Sequence, residues 1–447
     1  MGASPQAMDF TLADAFDPVR VEGAVLSVSG LGIEVSDRLA MLEMNARVEI
    51  ETAEGALLCE VAGVHDNAAL VLPFGSIDGV RRGAKVQFLK NSGAVRPSRA
   101  WLGRVIDGLG RPIDGKGPLT MGAAARSLRA HPPSPPLRAR LGAPVDFGVK
   151  ALNAFTPARA GQRLGIFSAS GVGKSALLGM IARHTQCDIS VIALIGERGR
   201  EVRDFIEDHL GPEGLARAVV VVATSDEPAM MRREAGFLAL TIAEHFRDGG
   251  AHVLCLMDSL TRIAMAQREI ALAAGEPPAT KGYTPSVFST LPALVERAGP
   301  GVDGLSPGYV TGVFSVLVEG DDHDEPIADA ARAILDGHVV LDRRIAERGR
   351  FPAVNILRSI SRSMPGVLPE EQAAIVIKAK QYAAAYDDMR ELIRIGAYRE
   401  GANLEVDQAI AVHPELEQFL SQAMDERISS DATFAALGAI LRKEGNG

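Results

Sequence analysis

Apolar and polar positions alternate in short runs over roughly the first ninety residues. Runs at 21–28, 46–51, 57–64 and 68–72 are separated by turn residues, among them Ser29-Gly30, Glu54-Gly55, Asp66-Asn67 and Arg82-Gly83. Short strands at that spacing predict a small antiparallel barrel. Residues 101–114, WLGRVIDGLGRPID, are dense in glycine and turn signals. The stretch 131–136, HPPSPP, reads as an extended surface connector, since its prolines lack the amide donors a helix needs. From about Gly161 the pattern changes. Buried-type runs at 163–167, 188–195, 218–223 and 252–257 alternate with helical patterns that begin at Lys174, Glu201 and Pro228. This alternation predicts βαβ units and a mostly parallel sheet with helices on both faces. Beyond about Met364 no clear strand remains, and 368–395, 403–412 and 429–441 read as helices.

The strongest local signal is Ser168-Ala169-Ser170-Gly171-Val172-Gly173-Lys174-Ser175, between an apolar strand and a helix start. Strand, glycine-rich turn and helix together make a phosphate-binding P-loop. Gly171 and Gly173 let successive N–H groups curl around phosphate oxygens, and the helix N-terminus adds partial positive charge. Lys174 would neutralise the β- and γ-phosphates, and the Ser175 hydroxyl would ligate Mg²⁺. The consensus opens with glycine, whereas Ser168 stands there in this chain. A second apolar run, 252–257, delivers Asp258 to a strand end, where it would hold the magnesium directly or through water. Between them, Ile195-Gly196-Glu197-Arg198 ends another strand; Glu197 is the candidate to orient the attacking water, with Glu201 expected on the first turn of the next helix. Domain bounds follow: a barrel at 1–92, a P-loop ATPase domain at 93–365 and a helical domain at 366–447.

Composition narrows the partners. Lys+Arg 47 against Asp+Glu 56 leaves a formal charge of −9, which disfavours a nucleic-acid backbone as ligand. No apolar run approaches the ~20 residues of a membrane span. The opening MGASPQAMDFTLADAFD shows neither a signal-peptide pattern nor the hydroxyl residue that myristoylation needs at position six, and 3–18 have no strong amphipathic period. Cys59, Cys187 and Cys255 are too few and scattered for a disulfide framework or zinc site and read as buried thiols in a reducing cytoplasm.

GERGREV, LMDSLTRIAMAQREIALAAGEPPATKGY, LVEGDDHDEPIADAARAILDGH and SISR together resemble the type III protein-export ATPases, relatives of the catalytic subunits of rotary ATP synthases. The likeness covers nearly the whole chain, including LGRVIDGLGRPID, and is strongest to the flagellar branch, with the injectisome branch as its sister. It implies a RecA-like P-loop core carrying an N-terminal small barrel and a C-terminal helical domain, with ATP and Mg²⁺ as ligands. By motif it implies Glu197 as the catalytic carboxylate beside Arg198, Lys174 and Ser168 through Ser175 as the phosphate loop, and Ser175 with Asp258 as the metal ligands. Phe351-Pro352 falls where relatives place an aromatic against adenine, and Arg362 matches the finger arginine that a neighbouring subunit supplies. Such an arginine contributes ~10³–10⁵ in rate, or about 4–7 kcal/mol.

Glu197 and Arg362 occur in one chain, so a site needing both from different subunits is completed only by another copy. The contact is head-to-tail and closes into a ring, expected to be a homohexamer. The resemblance further implies a coiled-coil stalk near the C-terminal helices, a dimeric regulator at the N-terminal region and export chaperone–substrate complexes at the C-terminal domain. It implies a cytoplasmic location with peripheral contact to the export gate at the inner membrane. Three other readings are a rotary-synthase subunit, a ring-shaped RNA translocase and a non-hydrolysing ATP-binding scaffold. The Glu197–Arg362 pair disfavours the first, the acidic and aromatic-poor N-terminal region the second, and intact Lys174, Glu197 and Asp258 the third.

Overall fold

The computed structural model describes residues 21–89, 93–304, 307–318 and 325–442. The segment 3–18 and the 319–324 part of LVEGDDHDEPIADAARAILDGH lie outside the described residues. The chain divides into two compact units, Met1–Gly93 with Ala273–Glu276, and the remainder.

The first unit is a closed six-stranded barrel of β1 (Glu22–Ser29), β2 (Gly32–Ser36), β3 (Arg47–Thr52), β4 (Gly55–His65), β5 (Ala68–Pro73) and β6 (Lys85–Leu89), in the order β1-β2-β5-β4-β3-β6. Alternation decides which side chains fill it: Ile33 and Val35 of β2 and Val48 and Ile50 of β3 point inward, between outward-facing neighbours such as Glu49. Closure removes the edges that a sheet this small would otherwise expose.

The second unit is built on an eight-stranded sheet. After β7 (Ala94–Val95) come β8 (Arg104–Asp107), β9 (Arg126–Ser127), β10 (Arg163–Ser168), β11 (Ile189–Ile195), β12 (Ala218–Ala223), β13 (His252–Asp258), β14 (Tyr309–Leu317), β15 (Gly337–Leu341) and β16 (Val354–Ser361). The sheet order is β16-β15-β10-β14-β13-β11-β12-β8, while β7 and β9 pair separately. All neighbours in the large sheet are parallel except β15 and β16. Helices cover the sheet: α1 (Lys150–Phe155), α2 (Lys174–His184), α3 (Gly199–Asp204), α4 (Gly211–Ala216), α5 (Ala229–Asp248), α6 (Leu260–Ala273), α7 (Pro285–Val295), α8 (Pro326–Ile334) and α9 (Arg343–Glu347). The C-terminal α10 (Glu370–Arg394), α11 (Leu404–Leu420) and α12 (Ser430–Arg442) share one apolar cluster with α1, β10 and α2, through Val376, Leu416 and Leu437.

Several elements differ from expectation. The glycine-rich 101–114 segment contains β8, a parallel edge strand whose Val105 pairs with Val220. The helix expected from Glu201 starts at Gly199 and passes into a π-helical turn at Phe205–Leu210 before α4. The helix expected over 403–412 runs on through Pro414 to Leu420, because burial of Leu416, Phe419 and Leu420 outweighs the one amide donor the proline removes. Within HPPSPP the chain is not extended throughout, since Pro135–Leu137 forms a single 3₁₀ turn. Cys187 is half-buried rather than buried, with an Arg217 guanidinium nitrogen 3.5 Å from its sulfur.

Arg297 is among the charged residues that lie inside. Arg297, 1% exposed, donates to both Glu244 oxygens (3.0 and 2.5 Å), to Thr241 Oγ1 (2.8 Å) and to the Leu128 carbonyl (2.7 Å). It thereby ties the strap after β9 to α5 and the end of α7. Removing one partner of a buried pair strands the other charge. Arg297→Ala is therefore expected to cost about 3–5 kcal/mol in guanidinium unfolding; a loss below about 1 kcal/mol would contradict this role.

Candidate active site

The phosphate loop follows from where β10 stops. Ser168 is the last strand residue and pairs in register with Leu317. Its backbone is not left-handed, so this position does not require glycine. Its Oγ is buried without a hydrogen-bond partner. The chain then turns through Gly171 (φ +80°) and Gly173 (φ +88°), both left-handed, while buried Val172 anchors the turn in the core. No side chain caps the first turn of α2. Its amides therefore remain available to an anion.

Lys174 leaves that turn and meets two carboxylates delivered by other strands. Its Nζ donates to Glu197 Oε1 at 2.8 Å and to Asp258 Oδ1. Burial alone would lower its pKa, but Asp258 and Glu197 outweigh it and hold the ammonium charged above the ordinary lysine range. Asp258 also accepts from the Ser315 hydroxyl on β14 at 2.5 Å. Glu197 is fixed by its neighbours: Gly196 N donates to Ala223 O and Ser225 N to Glu197 O. Gly196 is left-handed (φ +73°), and a Cβ there would fall 2.8 Å from the Arg262 side chain.

A cavity of about 730 Å³ opens over this group, lined by the phosphate loop, Ser175, Glu197, Arg198 and Glu201. Ser175 is exposed toward it and Arg198 is largely exposed on its rim. The cavity has further walls that sequence reasoning missed. Arg262 on α6 lies over Gly196, and Arg343 on α9 reaches the Ser170 carbonyl at 3.4 Å. Arg262 falls four residues after Asp258, on the helix that its strand feeds, and that spacing was the available signal. Arg343 carried none.

Phe351 stands beside the loop: a Cβ on Gly173 would lie 3.3 Å from its ring. It also lines a second cavity of about 740 Å³, with Lys150, Phe419, Gln422 and Ala423. Gln422 N donates to Phe351 O, and Lys150 Nζ donates to Ser421 O. An aromatic face with a roomy apolar neighbour beside the phosphate loop suits a stacked base. For the metal, no group of three or more His, Cys, Asp or Glu is arranged to bind one among the described residues. Ser175 and Asp258 fit magnesium, which needs few protein ligands because phosphates and waters supply the rest.

Arg362 is not part of this group. It follows β16, whose Ser361 pairs with Gly337, and Gly337 pairs with Leu164 near the start of β10. Ser168 and the loop lie at the other end of that strand, about 13 Å along it from Leu164 at ~3.3 Å per residue. In this chain Arg362 donates to the Arg332 carbonyl at 2.9 Å.

The description "ATP synthase alpha/beta family, nucleotide-binding domain" matches residues 148–361, the beta-barrel domain of the same family matches 25–90, and the "T3SS EscN ATPase C-terminal domain" matches 368–439. The flagellum-specific ATP synthase of Caulobacter vibrioides is 55% identical over 435 residues, 96% of this chain and 98% of its own length. That of Bacillus subtilis is 45% identical, covering 96% and 97%. The type 3 secretion system ATPase of Xanthomonas euvesicatoria is 42% identical, covering 94% and 93%. The assembled ATPase EscN of the enteropathogenic E. coli type III secretion system superposes with a TM-score of 0.88 at 41% identity, over 94% of this chain and all of EscN. The sheet, the loop and these matches define a nucleotide-binding ATPase. The chain belongs to the ATP synthase alpha/beta family, in its branch of flagellum-specific ATP synthases and type III secretion ATPases.

Two outcomes follow from this geometry. Lys174→Ala is expected to lower ATP hydrolysis by at least about 10²-fold while the fold is retained by circular dichroism, with a lowered thermal midpoint because Glu197 and Asp258 lose their shared cation; an unfolded variant would overturn this account of the loop. Glu227, on the Thr224–Pro228 turn beside Glu197, has its pKa pushed up to about 7 by burial and then by Asp107 and Asp226, against Arg111. A carboxyl raised in the folded state contributes stability below its unfolded value that is lost as pH rises toward about 7. Relative to Glu227→Gln, the wild type should therefore lose thermal stability between about pH 4.5 and 7; parallel profiles would contradict this.

Proposed function

We propose that the chain hydrolyses Mg–ATP at sites shared between neighbouring copies of a homohexameric ring, and that this hydrolysis energises type III protein export for flagellar assembly. What supports the shared site is that Glu197 follows the C-terminal end of β11 while Arg362 lies at the opposite strand end of the same sheet, remote from its own chain's pocket and free to serve another copy's. In the pocket, Lys174 turns from Glu197 and Asp258 to the β- and γ-phosphates, and Phe351 stacks on adenine. Glu197, released, accepts a hydrogen bond from the attacking water and aligns it. Arg198 borders the same oxygens, and Arg362 of the neighbour brings the last positive charge to the transition state. Ser175 and Asp258 would hold magnesium, which would supply charge neutralisation of the phosphate oxygens.

Assembly is supported by EscN, solved in its assembled form and in complex with its central stalk EscO, which superposes with a TM-score of 0.85 at 40% identity. We extend this to a coiled-coil stalk at the C-terminal helices here. The dimeric regulator, the chaperone–substrate complexes and peripheral contact with the export gate at the inner membrane rest on the family resemblance, as does the cytoplasmic location. No described helix is long and apolar enough to cross a membrane. Flagellar use is favoured over injectisome use by 55% identity to a flagellum-specific relative against 42% to the secretion ATPase.

Mixing inactive variants tests the shared site. In a 1:1 ring of Glu197→Gln and Arg362→Ala copies, about a quarter of interfaces would pair an intact glutamate with an intact arginine. Phosphate release should recover to about that fraction of wild type. No recovery at any ratio would refute shared sites.

A further inference from the structure

Strand β16 is irregular immediately before Arg362. Val340 pairs with Asn355 and His338 with Ile360, so residues 356–359 bulge opposite Val339. Side chains replace the missing ladder bonds. Ser359 Oγ donates to Asn355 O (2.6 Å) and accepts from Val340 N (3.0 Å), and Asn355 Oδ1 accepts from Leu357 N and Arg358 N (3.1 Å each). Bulges beside functional sites re-aim the residue that follows. One bond reaches this bulge from the C-terminal helices: Lys380 Nζ, on α10, donates to the Ser359 carbonyl at 3.2 Å. Lys380 is half-buried, and no carboxylate pairs with it among the described residues. Burial holds its pKa below the ordinary lysine range. An unpaired, partly desolvated ammonium is costly, and its one hydrogen bond goes to the backbone that aims the arginine.

We propose that Lys380 is a positioning residue for Arg362, tying α10 to the bulge so that displacement of the C-terminal helices changes where the arginine points. This rests on the reading that Arg362 completes a neighbour's site. The test uses the full chain and a double-mutant cycle, with single-turnover ATP hydrolysis for the slow variants. Misplacing a group by about 1 Å costs up to ~10²-fold. Lys380→Met is expected to lower kcat about tenfold with KM for ATP unchanged, Lys380→Arg to restore most of the rate, and Lys380→Met to have no further effect on Arg362→Ala. An equal loss with and without Arg362, or no loss in Lys380→Met, would overturn the proposal. Should Lys380→Met fail to fold by circular dichroism, Lys380→Gln is read in the same cycle. An Arg362→Ala variant as fast as wild type would instead refute the shared site on which the proposal stands.

Discussion

The structure turns on one cation held between two carboxylates. Lys174 comes from the turn after β10, Glu197 from the end of β11 and Asp258 from the end of β13. Register brings β11 and β13 side by side, with Leu194 opposite Asp258, so the two carboxylates would repel without the ammonium between them. In the proposed reaction the same three groups set the chemistry, since a phosphate that draws Lys174 away would free one carboxylate for water and the other for metal. Four cations, Lys174, Arg198, Arg262 and Arg343, face two carboxylates, Glu197 and Glu201, around the cavity, with a third, Asp258, buried behind Lys174. That balance is close to neutral, too little for a triphosphate, and it is why the proposed reaction calls on a metal and on an arginine from outside.

The proposed role of Arg362 as an outside arginine rests on topology. A parallel sheet gathers its ligand loops at the C-terminal ends of its strands. The antiparallel β16 runs the other way and delivers Arg362 to the opposite strand end. On the proposed reading, such a chain carries half a site at each of two faces, and head-to-tail contact would follow from that geometry rather than from any one contact residue. The bulge at 356–359 and its tether to α10 then link the C-terminal helices to the segment that carries Arg362, the face proposed to act on the neighbour.

Much of this was legible in the residues. The phosphate loop, Glu197 and Asp258 announce themselves because glycine spacing and strand-end carboxylates have few other uses, and the structure brings them together. The barrel was visible from β1, β3, β4 and β5, whereas β2 and β6, five residues each, are too short to show a period. Strand β8 hid among turn glycines, since a parallel edge strand of four residues is defined by its partner β12 rather than by its own pattern. The continuation of α11 through Pro414 is a tertiary effect that local propensity opposes. Arg262 and Arg343 gain meaning only when folding places them on the cavity, as a surface arginine and a site arginine look alike in sequence.

The most direct measurement is a structure of the assembled enzyme trapped with Mg–ADP and aluminium fluoride. The account predicts the fluoride group within about 3 Å of Lys174 of one copy and of the Arg362 guanidinium of the next, with Glu197 at the water. An assembly in which every Arg362 still bonds its own Arg332 carbonyl, remote from all nucleotides, would contradict it.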